Sequence, residues 1–89
     1  MKILARPIHM IAVFSPEERP IPYKFKMRER ETDEDYVTVI IDKIIHSYTS
    51  KIAGIETVIY SCQSVIGGIE RRYELKYILP DCQWELYKI

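Results

Sequence analysis

The sequence predicts an all-β fold, an antiparallel meander of about six strands curled into a small barrel or half-barrel, with at most one short helix. Three observations support this: apolar residues alternate along much of the chain, turn signals separate the alternating runs, and no long segment has a helical period. Alternation is typical of half-buried strands, because successive side chains leave a strand on opposite faces. Residues 1–89 are predicted to form one small β domain.

The register of the last predicted strands follows from Gly67 and Gly68. Glycine supplies the positive φ that a two-residue hairpin turn needs, so Tyr60 is expected to lie opposite Leu75. The same register places further apolar pairs on that face: Ile66 with Ile69, Cys62 with Tyr73, and Val58 with Tyr77.

A loop of even length around Pro80-Asp81 is predicted to join the last two strands, either two residues long or the four residues 79–82, in which proline would suit a type I turn. This loop sets Tyr77 against Trp84. It also places both cysteines on the apolar face, about 20 Å apart and beyond the ~7 Å limit of a disulfide, so two reduced core thiols are expected. The predicted core comprises Phe25, Val58, Tyr60, Cys62, Leu75, Tyr77, Trp84 and Leu86.

Upstream, the run 7–14 (PIHMIAVF) is apolar on both faces, which is typical of a strand that is buried on both sides or covered by a partner. The next run alternates, and Pro22 near its start favours an edge strand. Its predicted core face comprises Ile21, Tyr23, Phe25 and Met27; its polar face includes Lys24, Lys26 and Arg28.

Residues 31–35 (ETDED) are predicted to form an acidic hairpin tip, followed by a long strand over 36–48. The apolar phase of that strand shifts near Asp42, which one bulge residue would explain. A short amphipathic helix over Asp42–Tyr48 is the alternative, but the many β-branched residues favour the strand. Residues 49–55 are expected to be a connector.

Composition excludes several function classes. Thirteen basic and thirteen acidic residues give no net charge, so the strong positive field of a dedicated nucleic-acid binder is not expected. No apolar run reaches the ~18–20 residues that span a membrane, and no membrane partner is predicted. The start of the chain lacks the features of a secretion signal, so a cytoplasmic location is expected.

No catalytic or metal-ligating motif is found. His9, His46, Cys62 and Cys82 are scattered without the spacing of a metal site, and the serines lie within predicted strands rather than on a sharp turn. Glutamates fall beside basic residues on the wet face, as solvated ion pairs do. No cofactor, no metal and no enzymatic activity are therefore predicted.

The preferred interpretation is a protein-interaction module. Ile11 and Val13 lie in the doubly apolar run, and Ile59 and Ile78 fall on the otherwise polar face of the meander. Exposed apolar residues with a polar rim are typical of contact surfaces. The expected partner is a second copy, forming a homodimer, or another, unidentified protein.

Binding of single-stranded nucleic acid is the alternative. Lys24, Lys26 and Arg28 line one strand face, and Arg72 lies near the glycine turn. Small β-barrels bind single strands by combining basic groups with aromatic platforms. Most aromatic residues here are predicted to lie on the core side, away from these basic groups, which places this interpretation second.

The strand patterns PIPYKFKM, VTVIIDKII, YELKYIL and CQWELYKI also resemble those of a family of short bacterial proteins of uncharacterised function. In that family a P-x-P-x-x-F strand leads into a V-x-x-I strand, and the chain ends in YEL and W-x-L-Y-like strands. The resemblance extends over residues 20–89. It implies an all-β fold and a bacterial cytoplasmic origin, and it implies no activity or functional residues.

Overall fold

The computed structural model describes residues 1–28, 32 and 34–89, and within them it contains eight β-strands and no helix. The strands are β1 (Ile3–Pro7), β2 (His9–Val13), β3 (Ile21–Met27), β4 (Val37–Ile40), β5 (Lys43–Ile52), β6 (Ile55–Ile66), β7 (Ile69–Ile78) and β8 (Gln83–Lys88). None of the described segments is a helix that is long and apolar enough to cross a membrane.

The strands form two antiparallel sheets. Sheet A has the order β1-β8-β7-β6-β5, and sheet B has the order β2-β3-β4. The predicted all-β antiparallel architecture is thus confirmed, but there are eight strands rather than six and no closed barrel is found in the described part of the chain. The difference arises because the chain crosses twice between the sheets, between β1 and β2 and between β4 and β5.

The predicted register of the C-terminal meander is confirmed. Tyr60 pairs with Leu75 across β6 and β7, and the other predicted pairs from Ile66–Ile69 to Val58–Tyr77 are observed as well. Tyr77 pairs with Trp84 across the four-residue loop 79–82. Alternation and turn parity were sufficient here because one face of the sheet is buried, and a slip by one residue would expose it.

The two cysteines differ from the prediction. Both are free, and Cys62 is buried as expected, but Cys82 is exposed. Cys82 is the last residue of the loop and has a φ of 50°, so it lies outside the alternation of β8. Its thiol is 3.7 Å from the carbonyl oxygen of Leu79.

The predicted long strand over 36–48 is divided into two strands. β4 belongs to sheet B and β5 to sheet A, and residues 41 and 42 connect them. The backbone N–H of Ile41 donates to Tyr23 of sheet B, whereas that of Asp42 donates to Gln63 of sheet A. The alternative helix over Asp42–Tyr48 is absent. The irregularity in β5 lies between Ile44 and His46, where the pairing with β6 shifts.

The predicted connector over 49–55 is wrong, because it forms part of a second tight hairpin. β5 continues to Ile52, which pairs directly with Ile55. Ala53 and Gly54 form the two-residue turn with φ values of 51° and 81°, as a type I′ turn requires. At the other end of the chain, β1 was not predicted. It pairs with β8 across an irregularity that contains Ala5, with a φ of 48°.

The core lies between the two sheets. All eight predicted core residues are buried. The aromatic rings of Phe25 in sheet B and Tyr73 in sheet A pack edge to face, with centroids 5.6 Å apart, so the two sheets share one hydrophobic cluster. Further buried members of that cluster are Met27, Val39, Ile66 and Tyr73.

The segment between β2 and β3 packs against sheet A. The ring of Phe14 lies 5.9 Å from that of Tyr77, and the hydroxyl of Tyr60 donates to the carbonyl oxygen of Pro20. The guanidinium of Arg19 donates to Ser47 Oγ at 3.3 Å. Of the predicted acidic tip 31–35, positions 31 and 33 lie outside the described residues; Glu34 and Asp35 are exposed.

Candidate binding surface

The outer face of sheet B is the surface on which most of the predicted contact residues meet. Its register forms three cross-strand rows: Val13 beside Ile21; Ile11, Lys24 and Ile40; and His9, Lys26 and Thr38. The inner face of the same strands carries Phe25 and Val39, which are buried. Because side chains alternate along a strand, burial of the inner residues directs the residues of these rows outwards.

A bulge in β3 alters the predicted alternation. Ile11 pairs with Lys24 but Ala12 pairs with Pro22, so Tyr23 is the extra residue. Phe25 is buried as predicted, whereas the prediction that Ile21 and Tyr23 share its core face is wrong. Tyr23 has 54% of its surface exposed. The bulge also explains why Pro22 lies in the central strand of sheet B and not at an edge, since bulges tolerate proline.

The four predicted protein-contact residues divide between the two sheets. Ile11 and Val13 lie on the outer face of sheet B and are 56% and 58% exposed, so this chain does not itself bury their strand on both sides, and cover by a partner stays a prediction. Ile59 and Ile78 lie in sheet A. Ile59 is only 5% exposed, and its cross-strand neighbours are Tyr48 and Lys76. Ile59 is therefore not part of an exposed apolar patch, contrary to the expectation for this residue.

The predicted basic residues also divide between the sheets. Lys24 and Lys26 lie on the outer face of sheet B, and Arg28 directly follows β3. Arg72 lies on β7 of sheet A and is exposed, opposite Gln63. The structure therefore brings three of the four basic residues together and leaves Arg72 on a different surface.

Beside these residues lies a cleft of about 380 Å³, lined by Arg6, Pro7, Ile8, His9, Lys26, Met27, Arg28, Tyr36 and Leu86. The rings of His9 and Tyr36 are stacked, with centroids 6.0 Å apart. The guanidinium carbon of Arg28 lies 5.4 Å from the centre of the Tyr36 ring. Basic and aromatic groups thus meet here, contrary to the expectation that the two kinds of group are separated.

A second depression of about 400 Å³ adjoins the first. It is lined by His9, Met10, Ile11, Lys24, Phe25, Lys26 and Thr38. His9 and Lys26 line both depressions. The two neighbouring depressions are together called here the sheet B groove, and their lining residues range from Tyr36 to Ile11 and Lys24.

Three residues of this surface are not predicted by the sequence pattern, namely His9, Ile21 and Ile40. In the sequence, His9 has no neighbouring partner, and the pattern places Ile40 within one long strand over 36–48. The alternation of Val37–Ile40 was visible in the sequence, but its position beside Lys24 depends on pairing with β3. Tyr36 was expected to lie outside the core, and it is exposed.

The reactive side chains in the interior are inaccessible. Ser64 is fully buried, and its Oγ lies 2.5 Å from the hydroxyl oxygen of Tyr73. Burial is the main cause that raises the pKa of Tyr73, and burial raises the pKa of the Cys62 thiol to about 12. In residues 1–28, 32 and 34–89, no three histidine, cysteine, aspartate or glutamate side chains are grouped so that they could bind a metal ion.

Comparison of the chain with protein-family models, with curated proteins and with solved structures finds no match. The resemblance to short bacterial proteins therefore stays a prediction.

Proposed function

We propose that this protein is a non-catalytic interaction module that binds another polypeptide through the outer face of sheet B. The observation that supports this is the apolar character of that face: four large apolar side chains are exposed on it, Ile11, Val13, Ile21 and Ile40. Burial of apolar area provides most of the favourable free energy of protein association. A contiguous exposed apolar patch is typical of an interaction surface.

The total surface of the chain agrees with this proposal. The structure has an accessible surface of 6058 Å², whereas a compact monomer of 10.6 kDa is expected to have about 5,500 Å². The excess of roughly 600 Å² is of the order of the ~800 Å² that each partner buries in a standard interface. Covering the outer face of sheet B would bring the exposed surface towards the ordinary value.

Site-specific photocrosslinking in the native cell tests the proposal. p-Benzoylphenylalanine is placed at position 11 or 40 on sheet B, and at position 69 as the control, because Ile69 is also exposed but lies on sheet A. Discrete crosslinked products are expected from positions 11 and 40 and not from 69. A product near twice 10.6 kDa would identify a second copy as the partner. Identical products from all three positions, or no product, would contradict the proposal.

Binding of single-stranded nucleic acid is a second candidate, favoured by the cleft around Tyr36. Its ring stacks on that of His9, carries the guanidinium of Arg28 over one side, and shares the cleft with Lys26. Stacking of bases on such rings, with nearby cations for the phosphates, is how non-specific single-strand binding is achieved.

Fluorescence anisotropy of labelled oligo(dT) and oligo(U) at low salt tests this second candidate. Binding should be weakened by Tyr36→Ala and by Lys26→Glu, and much less by Arg72→Glu on sheet A. No change in anisotropy up to about 100 μM protein, the weak limit of ordinary non-specific binding, would exclude it.

A further inference from the structure

We infer that the partner of sheet B is an acidic polypeptide segment, one in which carboxylates and aliphatic side chains occur together. This inference rests on the proposed function and specifies the partner that the surface fits. It follows from the charge of the face, from the shape of the sheet B groove, and from the position of the lysines between aliphatic residues.

The charge of the face has one sign. The strands β2, β3 and β4 contain two lysines and one histidine but no aspartate or glutamate. Within the described part of the chain, no carboxylate forms an ion pair with Lys24 or Lys26. The chain as a whole has equal numbers of basic and acidic residues, so the strands of sheet B carry a local excess of positive charge. The acidic residues of this part of the chain lie in the loops, Glu17 and Glu18 between β2 and β3 and Glu34 and Asp35 between β3 and β4. Complementary charge on a partner would guide its approach and fix its position.

The lysines alternate with apolar groups in a defined pattern. Lys24 lies between Ile11 and Ile40 in one cross-strand row, and Lys26 lies between His9 and Thr38 in the next. Neighbouring strands are about 4.8 Å apart, so an aliphatic side chain lies within reach on both sides of Lys24. A ligand that pairs with this lysine therefore also contacts isoleucine. The depression of about 400 Å³ is lined by residues of both rows, and it shares His9 and Lys26 with the neighbouring depression of about 380 Å³, so a bound segment would meet concave surface beside both lysines.

A second copy of the chain fits this surface less well. A two-fold axis through the outer face of sheet B would bring the lysines of one copy close to those of the other. Juxtaposed like charges are unfavourable. The outer face of sheet A cannot serve as the complement either, because its strands carry both signs: Lys76 lies opposite Glu85, for instance.

A nucleic acid would complement the charged groups of this surface but not its apolar groups. Its phosphates would pair with the lysines, but they offer no apolar group to the aliphatic side chains beside Lys24 and at Val13. Those side chains would lose water without an apolar contact in return. A segment that combines glutamate or aspartate with valine, leucine or isoleucine complements the lysines and the isoleucines together.

Fluorescence anisotropy with a synthetic peptide tests the inference. The probe is a labelled octapeptide of two glutamates and two valines, repeated once, which presents both residue types on each side of an extended chain. The matched peptide has lysine in place of glutamate, and a third peptide contains only glutamate. We expect the glutamate–valine peptide to bind, the lysine–valine peptide not to bind, and the all-glutamate peptide to bind more weakly.

Charge-reversal variants assign the site. The double variant Lys24→Glu/Lys26→Glu should weaken binding of the glutamate–valine peptide about tenfold or more and should create binding of the lysine–valine peptide. Arg71→Glu/Arg72→Glu is the matched control, because both arginines are exposed on β7 of sheet A, and it should change the affinity less than twofold. The urea midpoint shows whether the charge-reversed variant folds. If it does not fold, Lys24→Gln/Lys26→Gln is tested in its place.

The pattern of results distinguishes failure of the acidic-segment inference from failure of the proposed function. Equal weakening by the sheet A and sheet B variants, or none by either, would overturn the acidic-segment inference. Absence of peptide binding together with crosslinks from positions 11 and 40 would also overturn it and leave the interaction module standing. Absence of both peptide binding and crosslinks would refute the inference and the proposed function together. A crosslinked dimer, or oligonucleotide binding without peptide binding, would assign the groove to a different occupant and refute the inference.

Discussion

At the residue scale, the two cysteines show how position in a strand or a turn decides the chemistry of one residue type. Cys62 is fully buried on the inner face of β6, whereas Cys82 is exposed and ends the loop before β8. Alternation places position 82 on the apolar face only if the strand already includes it. The positive φ of Cys82 shows that the turn extends over this residue, so the sequence pattern predicted one cysteine correctly and misplaced the other.

The first prediction concerns thiol reactivity. With the aromatic disulfide DTNB at pH 8, one thiol of the native protein should react rapidly and the second only after unfolding in urea. The Cys82→Ser variant should have no rapidly reacting thiol, whereas Cys62→Ala should keep one. Burial excludes the reagent from Cys62 and raises the pKa of its thiol to about 12, so the reactive thiolate is scarce. Two rapid thiols in the native protein would contradict the observed burial.

The second prediction is a loss of stability in alkaline solution. Burial raises the pKa of Tyr60 from about 10 and that of Cys62 from about 9, in both cases to about 12. As the pH rises, the unfolded chain therefore loses these protons before the folded chain does. Linkage requires the free energy of unfolding to be unaffected by these groups below pH 9 and to fall from there to about pH 12.

Urea unfolding followed by the fluorescence of Trp84 at a series of pH values measures this effect. The variant Cys62→Ala should be less stable at pH 7, because it leaves a small cavity, but its stability should fall less steeply above pH 9. If the free energy of unfolding fell equally steeply with pH in both proteins, the pKa of the Cys62 thiol would not be raised by folding.

At the scale of elements, the two tight turns of sheet A differ in how visible they are in the sequence. The Gly67-Gly68 turn was predicted with its complete register, because both residues accept positive φ without steric cost. The turn at Ala53-Gly54 has the same length and positive φ at both residues, yet it was missed. Alanine gives no signal for a left-handed conformation, so the hairpin between β5 and β6 was interpreted as a connector.

The third prediction follows from the left-handed conformation of Ala53. Replacing it with asparagine, the preferred first residue of a type I′ turn, should increase the free energy of unfolding by about 0.5–1 kcal/mol. The urea midpoint, measured by Trp84 fluorescence, should rise without a change in the denaturant slope. Gly67→Ala is the converse control, because it places a β-carbon at a φ of 59° and should lower the midpoint. A lower midpoint for Ala53→Asn would contradict the turn type.

Two other elements depend on contacts that a single strand does not encode. The bulge at Tyr23 exists only in the pairing of β3 with β2, so the regular alternation of the sequence predicted the wrong face for Ile21. The division of the strand over 36–48 depends on which sheet each half joins. The phase shift near Asp42 was detected, but a shift alone does not distinguish a bulge within one strand from a crossing between two sheets.

At the scale of the whole molecule, the candidate surface was predicted in its parts and not in its assembly. Ile11, Val13, Lys24 and Lys26 were each selected from the sequence, but as members of two competing surfaces. The register of sheet B places Ile11 and Lys24 side by side, so residues selected for two separate hypotheses lie on one surface. This juxtaposition depends on pairing between strands that are distant in sequence, and neither the hydrophobic pattern nor the charge pattern specifies it.

The hydrophobic cluster shared by the two sheets determines how the molecule should unfold. Sheet B buries Phe25 and Val39 against sheet A, and these residues belong to one hydrophobic cluster with Trp84. Sheet B has three short strands with an exposed outer face, and such a sheet has little apolar area of its own to bury. We therefore expect the two sheets to unfold together in a single transition.

The fourth prediction tests this coupling with a substitution in one sheet and a probe in the other. Val39→Ala in sheet B should lower the free energy of unfolding by about 1.5–3 kcal/mol, from lost burial and the cavity left behind. Because Trp84, the single tryptophan of the chain, lies in sheet A, its fluorescence should report the full decrease and should coincide with far-UV circular dichroism. Val65→Ala, at an exposed position of β6, is the control and should change the stability by less than about 0.5 kcal/mol. If the Trp84 transition stayed in place while circular dichroism showed an earlier loss of strand, sheet B would unfold separately, and the shared core would not couple the sheets.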